Sequence, residues 1–270
     1  MITAKKSLGQ NFLKSSAVAG RMCDAAEVGS GDTVLEIGPG KGMLTKELLS
    51  RGAHVIAIEK DHRLISHLEE TFAKEIKSKH LEIRTGDALE LDTKKLPGDY
   101  KIVANIPYYI TGALLEYYLS SSHQPECMAL MVQKEVAHRI VGRVPTQGKS
   151  VDKESILSIS VKAYGTPTVI EKVPAKMFAP APKVDSATIL ISDISRERFD
   201  TVSEKTFFKV VKAGFSHKRK VALSNISAVF GKALTEAAFK SLAISRDSRA
   251  EDIAPDTWFG LAEELSESAL

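Results

Sequence analysis

The chain has 270 residues, 43% hydrophobic and 26% charged, with a formal net charge of +3; this composition is globular, allows one large domain plus a smaller one, and argues against disorder. The longest purely apolar run, "CMALMV" at 127–132, falls far short of the roughly 18 residues of a membrane span, and "MITAKKSLGQNFLK" lacks the apolar core of a signal peptide, so a cytoplasmic location without a membrane partner is expected. Cys23 and Cys127 are the only cysteines and have no C-x-x-C spacing, so they read as small buried apolar residues, with neither a disulfide framework nor a metal site expected.

In chain order, "DTVLEIG" (32–38), "AHVIAIE" (53–59), "LEIRTGD" (81–87), "YKIVANI" (100–106) and "CMALMVQ" (127–133) are short apolar or β-branched runs. The stretches between them are long enough for helices. That alternation predicts parallel strands with helical crossovers, a doubly wound α/β sheet. "SILSISVKAYG" (155–165) and "SATILIS" (186–192) read as two more strands. The segment between them is too rich in proline for a crossover helix, so these last strands are expected as an antiparallel pair at one side of the sheet.

After about Ser192 the pattern changes. Phe207, Phe208, Val210, Val211, Phe215, Val221, Leu223 and Ile226 fall at mostly helical spacing, and "TEAAFKSLAI" and "PDTWFGLAEEL" read as shorter helices. The division expected is a catalytic domain over 1–192 and an all-helical domain over 193–270, with the boundary near "DISRERFD". Charge is also uneven. Lys205 to Lys232 holds seven Lys or Arg and no acid, residues 251–270 hold six acids and no base, and residues 1–23 hold Lys5, Lys6, Lys14 and Arg21 with no acid. Single-sign segments of this kind point to an anionic partner, nucleic acid first, or else to ordinary solvated faces.

The candidate site lies at the strand ends. "EIGPGKG" (36–42) follows the first strand and opens a helix, and its glycines, Gly38 and Gly40 among them, let backbone pass close beneath a ligand. The spacing is G-x-G-x-G, not the G-x-G-x-x-G of dinucleotide folds, and a tight turn alone would explain it. Glu59 ends the next strand, 21 residues after Gly38, where a carboxylate can accept from both hydroxyls of a ribose; the alternative is an exposed acid pairing with Lys60. In "TGDA" the Asp87 carboxylate can accept from an exocyclic adenine amine, and the Ala88 amide faces the ring edge. Together these strand ends predict an adenosine-containing cofactor.

The fourth strand runs into "NIPY" (105–108). Asn105 offers a side-chain carbonyl, Pro107 turns the Ile106 carbonyl outward, and Tyr108 offers a ring face. Two carbonyls can hold the two hydrogens of an adenine N6 amine, turning its lone pair toward an electrophilic methyl group, while Tyr108 stacks on the base for about 1–3 kcal/mol. No strong base is needed, because the methylated amine becomes acidic after attack. Catalysis is then mostly alignment, which can supply roughly 7–11 kcal/mol. The bland alternative is a proline turn with a half-buried tyrosine.

"QNFL" (10–13), "EIGPGKGMLT" (36–45), "EKD" (59–61), "GDA" (86–88), "NIPYYI" (105–110), "QKEVAHRI" (133–140), "FAPAPKVDSA" (178–187), "FSHKRKVALSN" (215–225) and "RAED" (249–252) occur in order. As an ordered set they resemble the ribosomal RNA adenine dimethyltransferase family, in its small-subunit branch, across nearly the whole chain. The resemblance implies a Rossmann-like methyltransferase sheet with a small helical C-terminal domain, and S-adenosylmethionine as methyl donor. It also implies conversion of two adjacent adenosines, in a hairpin loop near the 3′ end of small-subunit ribosomal RNA, to N6,N6-dimethyladenosine during small-subunit biogenesis.

By the same resemblance Asn11 and Leu13 approach the methionine end of the cofactor, Gly38 lies beneath it, Glu59 takes the ribose, Asp87 the adenine amine, and Asn105 borders cofactor and target. Phe178 would sandwich a flipped adenine against Tyr108, since a stacked N6 amine is out of reach. Lys218, Arg219 and Lys220, with Arg139 and Arg143, are expected RNA contacts, the last two on a helix that also carries Lys134 and His138. The substrate is expected to be the RNA or an assembly particle, and the protein a monomer. The chain departs from the family over 143–159, where the usual loop carries Tyr-Gly followed by Leu-Ser and this chain lacks the tyrosine, which puts RNA contacts there in doubt. The rival readings are the antibiotic-resistance branch acting on large-subunit RNA, a DNA adenine or protein glutamine methyltransferase, whose Asn-Pro-aromatic turn more often has two prolines, and an RNA-binding assembly factor without turnover.

Overall fold

Each of the five apolar runs of the first half is a strand, and most of their residues are buried. The computed structural model describes residues 2–5, 8–142 and 153–266. The chain divides into two compact units, Met1–Ala137 with Thr166–Ile194, and His138–Gly165 with Ser195–Leu270. The segment 138–165, counted with the first domain from sequence, therefore groups with the second unit.

The strands of the first unit are β1 (Phe12–Leu13), β2 (Thr33–Ile37), β3 (His54–Glu59), β4 (Leu81–Thr85), β5 (Lys101–Asn105), β6 (Met128–Gln133), β7 (Thr166–Val173), β8 (Phe178–Ala179) and β9 (Ser186–Ser192). Seven of them form one sheet in the order β4-β3-β2-β5-β6-β9-β7, and β1 pairs separately with β8. Strands β4, β3, β2, β5 and β6 are mutually parallel, and β9 runs antiparallel to both β6 and β7. Parallel strands need crossovers that cover both faces of the sheet. That is why β6 is buried at Met128, Ala129, Leu130, Met131 and Val132 without alternation.

Helix α1 (Ser16–Ala25) leads into β2, and the crossovers are α2 (Met43–Ser50), α3 (His62–Thr71), α4 (Ala73–Lys77) and α5 (Thr111–Leu119). Ser15 caps α1 by accepting from the Val18 amide at 3.3 Å, and Asp61 caps α3 by accepting from the Arg63 amide. Such caps contribute about 1 kcal/mol each. Helix α3 buries Leu64, Ile65 and Leu68, the stripe that a 3.6-residue period presents to a sheet. Helix α6 (Lys134–Val141) follows β6 directly.

One expected strand is a helix. Residues 155–165 carry α7 (Ile156–Lys162), opened by a reciprocal cap in which Ser155 Oγ accepts from the Ser158 amide at 3.1 Å and Ser158 Oγ accepts from the Ser155 amide at 2.8 Å. The strand of the antiparallel pair is β7 instead, drawn from the proline-containing segment. Pro167 is tolerated there because β7 is an edge strand with a ladder partner, β9, on one side only.

The second unit continues with α8 (Glu204–Gly214), α9 (Ala222–Phe230), α10 (Lys232–Ser241) and α11 (Pro255–Ser266). Phe207, Val210, Val211 and Gly214 share the buried face of α8, and Phe207 stacks on Phe259 of α11 with centroids 4.2 Å apart. Trp258 is fully buried beside them. Among the described residues no helix is long and apolar enough to cross a membrane, and no group of three or more His, Cys, Asp or Glu is placed to hold a metal ion.

Candidate active site

The carboxyl ends of β2, β3, β4 and β5 surround one cleft of about 260 Å³. It opens where the chain reverses its direction across the sheet, between β2 and β5, the usual ligand position in open α/β folds. Asn11, Leu13, Gly38, Gly40, Glu59, Asp87, Ala88, Asn105, Pro107 and Tyr108 all line it.

Backbone geometry explains the glycines. Gly38 has φ +66° and a Cβ there would meet no atom within 4 Å, so bare backbone faces the cleft; Gly40 has φ +59° and its Cβ would lie 3.0 Å from the Phe12 ring. Both positions lie in the left-handed region that side chains avoid.

Glu59 is 6% exposed and is not the surface acid of the alternative reading. Its Oε1 accepts from the Lys60 and Asp61 amides at 2.9 Å each, and its Oε2 accepts from the Gly40 amide at 3.3 Å. Burial raises its pKa, and these three amides oppose that shift. The carboxylate is thus fixed in orientation, with acceptor capacity left for hydroxyl donors.

Lys60 pairs with Asp87 instead, Nζ to Oδ2 at 2.8 Å, while Asp87 Oδ1 accepts from the Leu89 amide at 3.0 Å. The Lys60 bond holds the Asp87 carboxyl below its ordinary pKa. The lysine side chain is 61% exposed, so water competes for it and the pair can yield to another donor. Ala88 is buried, and its carbonyl accepts from Tyr118 Oη at 2.8 Å.

Asn105 ends β5, and its Nδ2 donates to the Asn11 carbonyl at 3.1 Å. That bond uses one of the two Nδ2 hydrogens and leaves Oδ1 as the acceptor end of the side chain. Tyr108 is half-buried, and its hydroxyl shares a hydrogen bond with Ser186 Oγ at 2.7 Å. Burial raises the Tyr108 pKa, which keeps the ring a neutral phenol.

Phe178 is placed differently from the expectation. Antiparallel pairing of β1 with β8 sets it opposite Leu13, and its ring is 1% exposed within the apolar core, outside the residues lining the cleft. It lies opposite Leu13 of the cleft wall. Of the expected RNA contacts, Lys218, Arg219 and Lys220 are all exposed on the segment between α8 and α9, and Arg139 is exposed on α6. Arg143 and the atypical segment up to residue 152 lie outside the described residues.

Sequence reasoning passed over Glu36, Gln10 and Tyr109, which also line the cleft. Glu36 is 1% exposed, accepts from Thr45 Oγ1 at 2.7 Å, and burial pushes its pKa up to about 8. An acid within the apolar run "TVLEI" was the available signal. Tyr109 is 66% exposed at the same rim.

Residues 1–267 match the family described as Ribosomal RNA adenine dimethylase. The chain belongs to that family. It is 38% identical over 261 residues to the Ribosomal RNA small subunit methyltransferase A of Dehalococcoides mccartyi, covering 95% of this chain and 87% of the relative. To the protein of that name from Moorella thermoacetica it is 37% identical over 276 residues, covering 98% and 93%. Among solved structures, a dimethyladenosine transferase from Plasmodium falciparum superposes with a TM-score of 0.81 at 26% identity, covering 96% of this chain and 98% of that one. The 23S rRNA methyltransferase ErmE gives 0.73 at 24% identity, covering 95% and 100%, a likeness of fold.

Members of this family are methyltransferases, and the cofactor is S-adenosylmethionine. The cleft fits it. Glycine backbone open to the cleft at Gly38 and the carboxylates of Glu59 and Asp87 give it a close approach and two acceptors, the chemistry that an adenosine-containing cofactor with hydroxyl and amine donors requires.

Proposed function

We propose that this protein dimethylates N6 of two adjacent adenosines in a hairpin loop near the 3′ end of small-subunit ribosomal RNA. The observation that carries the mechanism is the bond from Asn105 Nδ2 to the Asn11 carbonyl, 3.1 Å long. With Nδ2 turned to Asn11, Asn105 Oδ1 is the end of the side chain left to accept from the incoming amine; in the first transfer the Ile106 carbonyl takes the second N6 hydrogen, and in the second transfer the monomethylated amine keeps one hydrogen for one of the two carbonyls. Pro107 fixes the turn that aims that carbonyl, and Tyr108 supplies the wall on which a flipped base stacks. S-adenosylmethionine, when bound, supplies a methyl group activated by a sulfonium. Asn11, Leu13 and Gly38 hold its methionine end, Glu59 its ribose, and Asp87 with Ala88 its adenine.

No residue in the cleft is required as a strong base. The N6 proton becomes acidic once the nitrogen is methylated, and the two carbonyls hold it until solvent removes it. The second unit is read as the RNA-binding part, through Lys218, Arg219 and Lys220 with Arg139 on α6. A monomer acting in the cytoplasm on the RNA or on an assembling small-subunit particle completes the reading. The names of the relatives at 37–38% identity support the small-subunit branch.

The test is Asn105→Ala. S-adenosylhomocysteine binding should persist, and methyl transfer to small-subunit RNA or particles should fall by about 10²-fold or more, the scale of losing an aligning contact. Near-normal turnover would remove Asn105 from the mechanism. Running wild type in parallel on free large-subunit RNA distinguishes the two branches, because only the branch that applies should give dimethyladenosine by nucleoside mass spectrometry.

A further inference from the structure

Six consecutive residues of the N-terminal segment, Leu8 to Leu13, line the cofactor cleft. A carboxylate outside the cleft is bonded to that segment. Asp61 is 1% exposed at its side chain and does not line the cavity. Its Oδ2 accepts from Gln10 Nε2 at 3.1 Å and from Arg63 Nη2 at 2.7 Å, and its Oδ1 accepts from Arg63 Nε at 3.0 Å and from Lys5 Nζ at 3.4 Å. Gln10 is bound at both ends, because its Oε1 accepts from the Lys5 amide at 2.7 Å. Arg63 also reaches the Thr3 carbonyl at 3.4 Å.

We propose that Asp61 is the positioning residue that clamps the N-terminal wall of the cofactor cleft, so that it sets cofactor affinity through Gln10 and Lys5 without lining the cleft itself. The inference rests on the S-adenosylmethionine reading of the cleft. The clamp is a buried carboxylate with cationic and amide donors, and hydrogen bonds to charged groups are the stronger class. Its partners pull its pKa well below the ordinary carboxylate range, Arg63 first, so the charge persists at any physiological pH. The clamp is also joined to both ends of the cleft. The Asp61 amide donates to Glu59 Oε1 at 2.9 Å, and the residue after Gln10 is Asn11, whose carbonyl receives Asn105. Loss of the clamp lets residues 8–13 sample positions in which the wall is not formed, and the fraction of molecules competent to bind falls accordingly.

The experiment measures S-adenosylhomocysteine affinity by calorimetry and amide hydrogen exchange over residues 8–13, in wild type, Gln10→Ala, Asp61→Ala and the double variant. We expect Kd to rise about tenfold in each single variant, with faster exchange over residues 8–13 in both and, in Asp61→Ala, at the start of α3 as well, and the double variant to be little worse than Asp61→Ala, since both remove one interaction. Asp61 also caps α3, so Asp61→Ala can fail to fold. Gln10→Glu then decides, because it keeps the side chain's size while setting a second carboxylate against Asp61, and it should raise Kd and exchange alike. Unchanged Kd in Gln10→Glu, or fully additive effects in the cycle, overturns the clamp alone. Failure of the unaltered protein to bind S-adenosylhomocysteine overturns the cofactor reading and the clamp with it.

Discussion

Glu36 is the residue whose chemistry is least like its surroundings: a carboxyl within a parallel strand, 1% exposed, held by Thr45 and facing the negative field of Glu59. Burial raises its pKa from 4.5 to about 8, so the folded protein holds a proton that the unfolded chain has already released. The stability contributed by that proton is fully present below 4.5 and is lost as pH rises to about 8. Glu36→Gln should therefore flatten the decline in unfolding free energy across that window, by an amount on the order of a few kcal/mol, as read by denaturant melts at several pH values. A variant whose stability falls with pH as steeply as wild type would show that Glu36 ionises freely. That Glu59, Asp87 and Asn105 meet at one cleft is legible in the sequence because an acid or amide ending an apolar run has few structural uses. The partners they meet are not. Lys60 turning to Asp87, and Phe178 turning inward behind Leu13, depend on which distant strand lies opposite, which no local pattern encodes.

The same limit appears among the elements. "SILSISV" alternates well enough for a strand, and the helix wins because Ser155 and Ser158 cap each other and because buried Glu154 holds Lys162 of that helix at 2.7 Å. Period alone could not separate the two over so short a run. The inner parallel strands were legible because burial on both faces writes continuous apolar runs, as in β6, whereas the edge strand β4 alternates. In the second unit, α8 meets α11 where Gly214 lies against the Trp258 ring; a Cβ at Gly214 would fall 2.4 Å from Trp258 Cη2. The Trp258 ring is fully buried and cannot yield. Gly214→Ala should destabilise this unit by roughly 1–3 kcal/mol through overpacking, visible as a lowered thermal midpoint, while a helix-propensity gain alone would raise it.

At the scale of the whole molecule a net charge of +3 hides a basic stretch from Lys205 to Lys232 and an acidic one over 251–270. Asn225, 3% exposed, donates from Nδ2 to the Gly214 carbonyl at 2.7 Å and to the His217 carbonyl at 3.1 Å, which fixes the turn carrying Lys218, Arg219 and Lys220. Replacing those three with Gln should weaken RNA binding and reduce the slope of log K against log salt by about two. Filter binding at several salt concentrations reads both quantities, and an unchanged slope would leave these residues as a solvated face. The two outer strands of the sheet carry a different consequence. At β7 Pro167 lacks a donor, the register shifts between Val169 and Glu171, and Arg21 and Lys172 hold the strand's neighbourhood in ion pairs with Glu171 and Asp185. At the opposite edge, β4 sets Glu82 and Arg84 in an ion pair of their own. Interrupted and charged edges are poor templates for a foreign strand. A sheet built this way offers further copies of itself broken, charged borders to pair with, at the very places where an open sheet is otherwise most exposed to edge-to-edge growth.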